Sequence, residues 1–372
     1  MDQDRLYFLA LHFVPGVGDI LLRQLISYCG SAEEVFRQST ARLLKIPGVG
    51  ESTIDAIRGG KSLHRAEAEF RKAEKEGVQI IFFTDNAYPH RLKSIDDAPS
   101  LLYVKGNINL NRLRTVGIVG TRKATSYGKA CVEELVEGLA PHQVQVISGL
   151  AYGIDIHAHK EALRHGLSTL AVLGSGLDII YPSAHQDTAR KMVNQGALIT
   201  ENHFGVGPDA HNFPQRNRII AGMSDALIVV EAGDKGGALI TAEIANTYNK
   251  DVFAIPGSIH SPFSAGCNRL IKINKASLLT SVKDLEYIMN WNQDQLQQDT
   301  QLVLELESLE PEEGSLLSLM KEKLRALSID DLCFLTQLPQ GRLSSILLSL
   351  EFKNKVISLP GKMYMIRPKG MG

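Results

Sequence analysis

The apolar positions follow three regimes along the chain. Up to about Gly60 they recur at helical spacing: Ile20, Leu21, Leu22, Leu25 and Ile26 after one PGVG string, Ile54 and Ile57 after a second. From Lys61 to Asn290 short continuous apolar runs alternate with amphipathic stretches. The runs are Val78–Phe83, Thr115–Val119, Val144–Ile147, Ser168–Leu173, Ala197–Thr200, Ala226–Val230 and Asp251–Ala254. Helices are predicted between them at Tyr127–Leu139, Ile154–His165, Ala184–Gln195, Phe213–Met223 and Leu239–Tyr248. Unbroken apolar strands separated by helices predict a parallel sheet covered on both faces, an α/β domain of Rossmann-like type. Beyond Trp291 the chain turns rich in Gln, Asp and Glu and reads as a linker. Helical patterns at Leu316–Lys323, Ser328–Thr336 and Gly341–Phe352 then precede two strands, Val356–Leu359 and Met363–Ile366, about a Pro360-Gly361 turn. Three helices followed by a hairpin is the order of a winged helix. The expected division is a helical domain at 1–60, a Rossmann-like domain at 61–290, a linker at 291–311 and a winged-helix domain at 312–372.

The PGVG strings lie at Pro15–Gly18 and Pro47–Gly50. Gly-x-Gly makes a tight turn and leaves the first N–H groups of the following helix unpaired. That suits a helix-hairpin-helix (SAM-like) module gripping a DNA phosphate. It suits a module used for packing equally well, because neither hairpin has a dense Lys/Arg flank. In the winged helix the third helix offers Arg342, with Lys353 and Lys355 at its end. Contact with protein is the better reading there than insertion into a DNA groove.

The net charge of −1 over 372 residues means that any basic surface must be local. The four cysteines are far apart with no CxxC pair, which argues against a zinc site or disulfide framework and for a reducing compartment. The N-terminus lacks a signal-peptide n-region, and no apolar run reaches the roughly 18 residues of a membrane span.

Candidate chemistry gathers at the strand ends. The first clear strand leads into Gly120, Thr121, Arg122 and Lys123, with Ser126 at the expected N-cap: a phosphate cradle at a helix start. Neither GxGxxG nor GxxxxGK[ST] is present, so nicotinamide chemistry and NTP hydrolysis are disfavoured. No cofactor is implied. In SGLAYGIDIHAH, His157 and His159 fall on different helix faces and do not share a metal, and Asp155 reads as a helix N-terminal acid. FPQRNRII places Phe213, Arg216 and Asn217 on one helical face, with Arg218 beside them. Phe213 is read as stacking a base from a position just outside the helix, and the arginines as holding phosphates. The alternative is a core Phe213 with arginines paired to Asp209, Asp225 or Glu231. Lys235, Gly236 and Gly237 open a further helix, a second anion site at the same sheet edge. No nucleophile–base–acid set stands at diagnostic spacing.

The succession GIVGTRKATSYG, ISGLAYGIDIHAHKEAL, TLAVLGSGLDIIYP, GALITENHFG, NFPQRNRIIAGMSDALIVVEA, GGALITAEIA, DVFAIPGS and SAGCNRLI resembles the DNA-processing protein A family (DprA/Smf). The resemblance implies a bacterial cytoplasmic, non-enzymatic protein that binds single-stranded DNA. It also implies protection of incoming DNA in natural transformation, loading of RecA recombinase, and a homodimer formed through the Rossmann-like domain. It places the family's phosphate-gripping arginine at Arg122 and its stacking ring and basic partners at Phe213, Arg216 and Arg218. The backbone around Ser148 and Gly149 belongs to the same expected surface. Two departures stand out: Tyr152 where many relatives carry Lys or Arg, and Gly236 where many carry Ser. The competing class is an enzyme. EAGDKGGALITAE partly resembles the loop of nucleoside-monophosphate phosphoribohydrolases, with Glu243 as the acid, although the Gly-Gly-Thr spacing is broken.

Overall fold

The computed structural model describes residues 3–106, 108–210, 212–291, 310–323, 327–336, 338–353, 355–359 and 363–366. The chain divides into two compact units, Met1–Leu285 and Glu286–Gly372.

The larger unit begins with helices α1 (Gln3–His12), α2 (Asp19–Cys29), α3 (Ala32–Arg37), α4 (Thr40–Leu43), α5 (Glu51–Arg58) and α6 (Lys61–Glu76). The first glycine of each PGVG string, Gly16 and Gly48, has positive φ, 82° and 84°. Helices α2 and α5 start at Gly18 and Gly50 with no side-chain cap. This is the turn the repeated string calls for.

A nine-stranded sheet follows in the order β1-β2-β6-β5-β4-β3-β7-β8-β9. Its strands are β1 (Gln79–Phe82), β2 (Leu101–Lys105), β3 (Thr115–Gly120), β4 (Gln145–Ser148), β5 (Thr169–Val172), β6 (Ala197–Thr200), β7 (Ala226–Val230), β8 (Asp251–Ala254) and β9 (Ser277–Leu278). From β6 to β9 every pairing is parallel; β1 and β2 add an antiparallel edge. Helices α7 (His90–Lys93), α8 (Ser126–Leu139), α9 (Ile154–Arg164), α10 (Gln186–Gln195), α11 (Asn212–Met223), α12 (Gly237–Thr247), α13 (Ala265–Lys272) and α14 (Val282–Ile288) complete the unit. Neither α6 nor β2 was among the expected elements. Helix α6 is mostly charged but turns a narrow apolar line, Leu63, Ala66, Phe70 and Ala73, onto the core.

Alternation along the strands sorts the core into two faces. Leu101, Tyr103, Leu173 and Leu198 pack with Phe8, Leu9, Leu22, Leu25, Ile54 and Ile57 of the N-terminal helices. Leu102, Val104, Val172 and Ile199 face the other way, against Ile219 and Ile220 of α11 and Ala242 of α12. The N-terminal helices therefore share a core with one face of the sheet.

The smaller unit contains α15 (Pro311–Lys323), α16 (Ile329–Thr336) and α17 (Gln340–Phe352) with strands β10 (Leu327–Ser328), β11 (Val356–Leu359) and β12 (Met363–Ile366), paired β10-β12-β11. Leu316, Met320, Leu332, Leu343, Leu347 and Leu350 form its core. Ser328 and Asp331 cap α16 reciprocally: the Asp331 N–H donates to Ser328 Oγ at 3.1 Å and the Ser328 N–H to Asp331 Oδ2 at 3.2 Å. Residues 292–309 of the expected linker and the Pro360-Gly361 turn lie outside the described residues.

Candidate nucleic-acid interface

Chain order reverses at β3 and β7: β4, β5 and β6 lie to one side, β8 and β9 to the other. At such a switch point the loops leaving the carboxyl ends of the strands diverge and open a crevice. The candidate residues come from the loops after β3, β4, β5 and β7 and from the start of α11. Two non-glycine residues here, Leu150 after β4 and Glu231 after β7, have left-handed backbone, φ 56° and 55°. Strain of this kind persists where surrounding packing over-determines it, as at binding sites.

Arg122 and Lys123 are exposed on the loop after β3. The Arg122 guanidinium stands 5.6 Å from the centre of the Phe213 ring. Phe213 is half-buried, and its ring lies over Gly174, where an added Cβ would come within 3.3 Å of it. The loop carrying Gly153 packs so closely on Arg122 that a Cβ at Gly153 would approach the Arg122 Cα to 2.8 Å. Beside it Tyr152 is 49% exposed and sits edge-on to buried His185 at 4.9 Å. The structure thus brings Arg122, Phe213 and the Tyr152 loop to one crevice. Lys235, Gly236 and Gly237 are exposed at the start of α12, which has no side-chain cap.

Other expected site residues lie beneath this surface. The start of α8 is not an open anion site. Thr125 is the N-cap in place of Ser126, accepting from the Gly128 N–H at 3.2 Å. The buried Glu231 carboxylate accepts the Thr125 N–H at 2.9 Å and the Thr125 hydroxyl. Thr121 donates its N–H to the Glu231 carbonyl at 2.8 Å, and Gly120 ends β3 against the Val230 carbonyl. An internal carboxylate already occupies the place expected for phosphate, which leaves the Arg122 and Lys123 side chains as the cationic feature of that loop.

Ser148 is fully buried and its hydroxyl donates to Ile118 O at 2.6 Å. Gly149 is a glycine because Arg216 fills the adjacent space: an added Cβ would lie 2.0 Å from its Nη1. Arg216 is 5% exposed, donates to Val172 O at 2.5 Å, and has Asp155 as its counter-charge. Burial pulls its guanidinium down to about 10 against the opposing pull of Asp155. Burial likewise pushes the Asp155 carboxyl above its ordinary range, although Arg216 and the Gly149 N–H act the other way. Asn217 is buried too. Arg218 is bound to Glu201 at 2.5 Å and to the Asp97 carbonyl. The expectation that these arginines present phosphates is therefore corrected: helix α11 turns them into the protein, where Arg218 meets the Glu201 carboxylate and Arg216 the Val172 carbonyl with Asp155 as a nearby opposite charge. Asp225 and Glu231, partners of the arginines in the alternative reading, hold Arg91 and Thr125 instead. Phe213 also lies within the first turn of α11 rather than before it.

His157 and His159 point to different surroundings. His157 Nε2 meets Glu133 at 3.1 Å, whereas His159 is buried on the Thr169 hydroxyl at 2.7 Å, and burial pulls it down to about 3. Asp155 accepts the Gly149 N–H at 3.1 Å from the first turn of α9. Both PGVG turns line a cavity of about 410 Å³ with Asp19, Asp97 and Arg218. Arg218 is already paired there, so the cavity offers a phosphate no excess positive charge. In the smaller unit Arg342 meets Glu312 at 2.8 Å and Lys353 meets Glu313 at 2.7 Å, so these helix cations are engaged within the protein. Glu243 binds Lys275 through both oxygens at 2.6 Å. Among the described residues no helix is long and apolar enough to cross a membrane.

Sequence reasoning missed Glu201, Tyr181 and the role of Glu231 in closing the loop after β3. Acids closing a βα loop or facing a distant arginine carry no local spacing signal. Tyr181 lies in a loop without Lys or Arg and comes within 6.0 Å of the Phe213 ring only in three dimensions.

Residues 79–290 match the family model of DNA recombination-mediator protein A, residues 294–362 the DprA winged helix domain and residues 8–58 the SAM-like helix-hairpin-helix tandem. The chain is 32% identical over 398 residues to Protein Smf of Synechocystis sp., covering 98% of this chain and 100% of the relative. It is 43% identical over 201 residues to DNA processing protein DprA of Streptococcus pneumoniae, covering 54% of this chain and 71% of the relative. The X-ray structure of DprA from Streptococcus pneumoniae is similar with a TM-score of 0.65 and 34% identity, covering 77% of this chain and 97% of that one. That of DNA processing protein A from Helicobacter pylori, described for its single-stranded DNA binding mode, is similar with a TM-score of 0.53 and 27% identity, covering 58% and 96%.

Proposed function

The chain belongs to the DNA recombination-mediator protein A family (DprA/Smf), and from that premise we propose that it binds single-stranded DNA along the switch-point crevice. One observation carries the reading: an exposed guanidinium lies beside a half-open aromatic ring, Arg122 at 5.6 Å from Phe213. A cation for the phosphate and a ring for the base are what sequence-tolerant binding of an unpaired strand needs. Lys123 and the Lys235–Gly237 turn extend the cationic edge, and Tyr152 offers a ring where a lysine or arginine was expected. The Helicobacter pylori relative, described for its single-stranded DNA binding mode, supports this reading. We propose further that the protein acts in the bacterial cytoplasm as a homodimer through its Rossmann-like domain. There it protects incoming DNA in natural transformation and passes it to RecA recombinase. It is read as a binding protein rather than a nucleotide-processing enzyme: Glu243, the candidate acid of that alternative, is held by Lys275. Release of free base from AMP or CMP by the purified protein would overturn that choice.

The test is fluorescence anisotropy with single-stranded and duplex oligonucleotides across a salt titration. Binding should favour the single strand, with a log–log salt slope of about −0.7 for each phosphate contact. Equal affinity for the two forms at every salt concentration rejects the proposal.

Arg122 and Phe213 should fail in different ways. Arg122→Ala is expected to weaken binding by about 1.5–3 kcal/mol, the worth of a charged hydrogen bond, and to flatten the salt slope by about 0.7. Phe213→Ala is expected to cost roughly 1–3 kcal/mol with the slope unchanged. Both variants should melt near the wild type, since one side chain is exposed and the other only half-buried. An early-melting Arg122→Ala protein would make Arg122 structural.

A further inference from the structure

The loop after β5 carries an aromatic ring beside the crevice. Tyr181 is 48% exposed, and its ring centre lies 6.0 Å from that of Phe213 with the planes at 45°. Its hydroxyl makes no hydrogen bond among the described residues, so no polar contact holds the ring at the surface. The segment that presents it is nevertheless firmly built. Ser175 Oγ donates to Ile179 O at 2.6 Å, the Gly176 N–H to Val206 O at 2.9 Å and the Ile179 N–H to Gly176 O at 3.0 Å. Pro182 follows in a buried position. His185 closes the next turn, its Nδ1 at 2.8 Å from Leu150 O, and Tyr152 packs edge-on against its ring.

We propose that Tyr181 is a second base-stacking residue, so that the crevice holds two neighbouring unpaired bases, one on Phe213 and one on Tyr181. The proposal rests on the single-stranded DNA reading above. Two tilted rings cannot share one base face to face, but each can present a face to its own base. Stacking on a ring is sequence-tolerant because every base has a π-face. The fixed loop means that little side-chain and backbone freedom is lost on binding. The guanidinium of Arg122, 5.6 Å from the centre of the Phe213 ring, places a phosphate contact beside the first stacking ring.

The test uses the full-length protein with three variants. Tyr181→Leu keeps an apolar side chain but removes the π-face, and should weaken binding to oligo(dT) roughly 5- to 100-fold with an unchanged salt slope. Tyr181→Phe keeps the ring and should bind like the wild type. Tyr181→Ala should match Tyr181→Leu, and melting curves on the same preparations should coincide with the wild type. Photo-crosslinking to an oligonucleotide carrying 5-iododeoxyuridine should mark the peptide containing Tyr181 as well as the one containing Phe213. A Tyr181→Leu protein that binds within about twofold of the wild type, against the stacking effect expected, overturns the proposal. So do crosslinks that never reach Tyr181, or a loss shared by Tyr181→Phe. If Phe213→Ala weakens binding and Tyr181→Leu does not, only the second stacking position fails. If the wild type does not prefer the single strand, the underlying reading fails instead.

Discussion

Arg216→Ala should destabilise the larger unit by about 3–5 kcal/mol, the usual consequence of leaving a buried charge without its compensating one. Arg216 and Asp155 are both buried, and Arg216 reaches the end of β5 through Val172 O at 2.5 Å. Removing the guanidinium leaves the buried Asp155 carboxylate with hydrogen bonds such as that from the Gly149 N–H but without its opposite charge, and leaves an empty volume beneath Gly149. The melting temperature should fall by on the order of 5–15 °C. The deficit should depend on pH. Asp155 already lies above its ordinary range through burial, and without Arg216 it rises further. A carboxyl raised in the folded state contributes stability below its unfolded value and loses it as pH rises through the folded one. The variant should therefore be least stable in mild alkali and recover towards pH 4. Combining Arg216→Met with Asp155→Asn removes both charges and should restore much of the loss. A single Arg216→Ala variant that melts like the wild type while binding DNA poorly would return Arg216 to the phosphate surface and refute its buried role.

Arg216 also marks where sequence reading stops. The sheet was legible because its strands are continuous apolar runs, such as Ala226–Val230, whose burial on both faces leaves no other reading. The two PGVG turns were legible because positive φ after Pro15 and Pro47 needs glycine. Helix α11 was legible as an element but its faces were not. Between Pro214 and Ile219 FPQRNRII has no apolar residue, so the direction of its four charged or amide residues is set by what lies under the helix. That underlayer is Val172, Asp155 and Glu201, drawn from a strand, a helix start and a loop far away in sequence. Arg122 differs because it stands on a turn between strand and helix, where a side chain has solvent on most sides. Phe213 was legible as a ring at the crevice, while its neighbour Tyr181, 32 positions earlier, was not: two rings meet only through the return of the chain from β5 to α11. The first helix turn after β3 misled for a related reason. Thr125 and Ser126 are both competent N-caps, and the buried acid that fills the site, Glu231, arrives from β7.

The same logic gives Arg218→Ala a large effect of a different kind. Its guanidinium, 14% exposed, faces Glu201 at 2.5 Å, Asp19 at 3.8 Å and Asp97 at 4.0 Å. Asp19 begins α2 directly after the first PGVG turn and accepts the Ser100 N–H at 2.8 Å. Arg218 thereby fastens the N-terminal helices to the sheet through one cation among three carboxylates. Arg23 nearby spends its donors on the Ala98 and Asp96 carbonyls, and Tyr248 donates to Asp97 at 2.5 Å. Burial pushes Glu201 up to about 7 even with Arg218 present, and Asp19 and Asp97 add to the rise. Without Arg218 the carboxyl must rise further. Because the folded value exceeds the unfolded one, the stability it carries is present at acid pH and lost as pH rises through 7 and above. Arg218→Ala should cost about 3–5 kcal/mol near pH 8, and much less near pH 5, where Glu201 is protonated. Adding Glu201→Gln should flatten this pH dependence. Thermal melting from pH 5 to pH 8 reads the result, and a deficit that is constant or grows towards acid contradicts the assignment. DNA binding by the same variant, measured at pH 6 where it is folded, should keep the wild-type salt slope, because Arg218 neutralises Glu201 and not a phosphate. A slope flattened by about 0.7 would instead place Arg218 on the strand, and the hairpin turns that share its cavity would then have to be reconsidered as part of the DNA path.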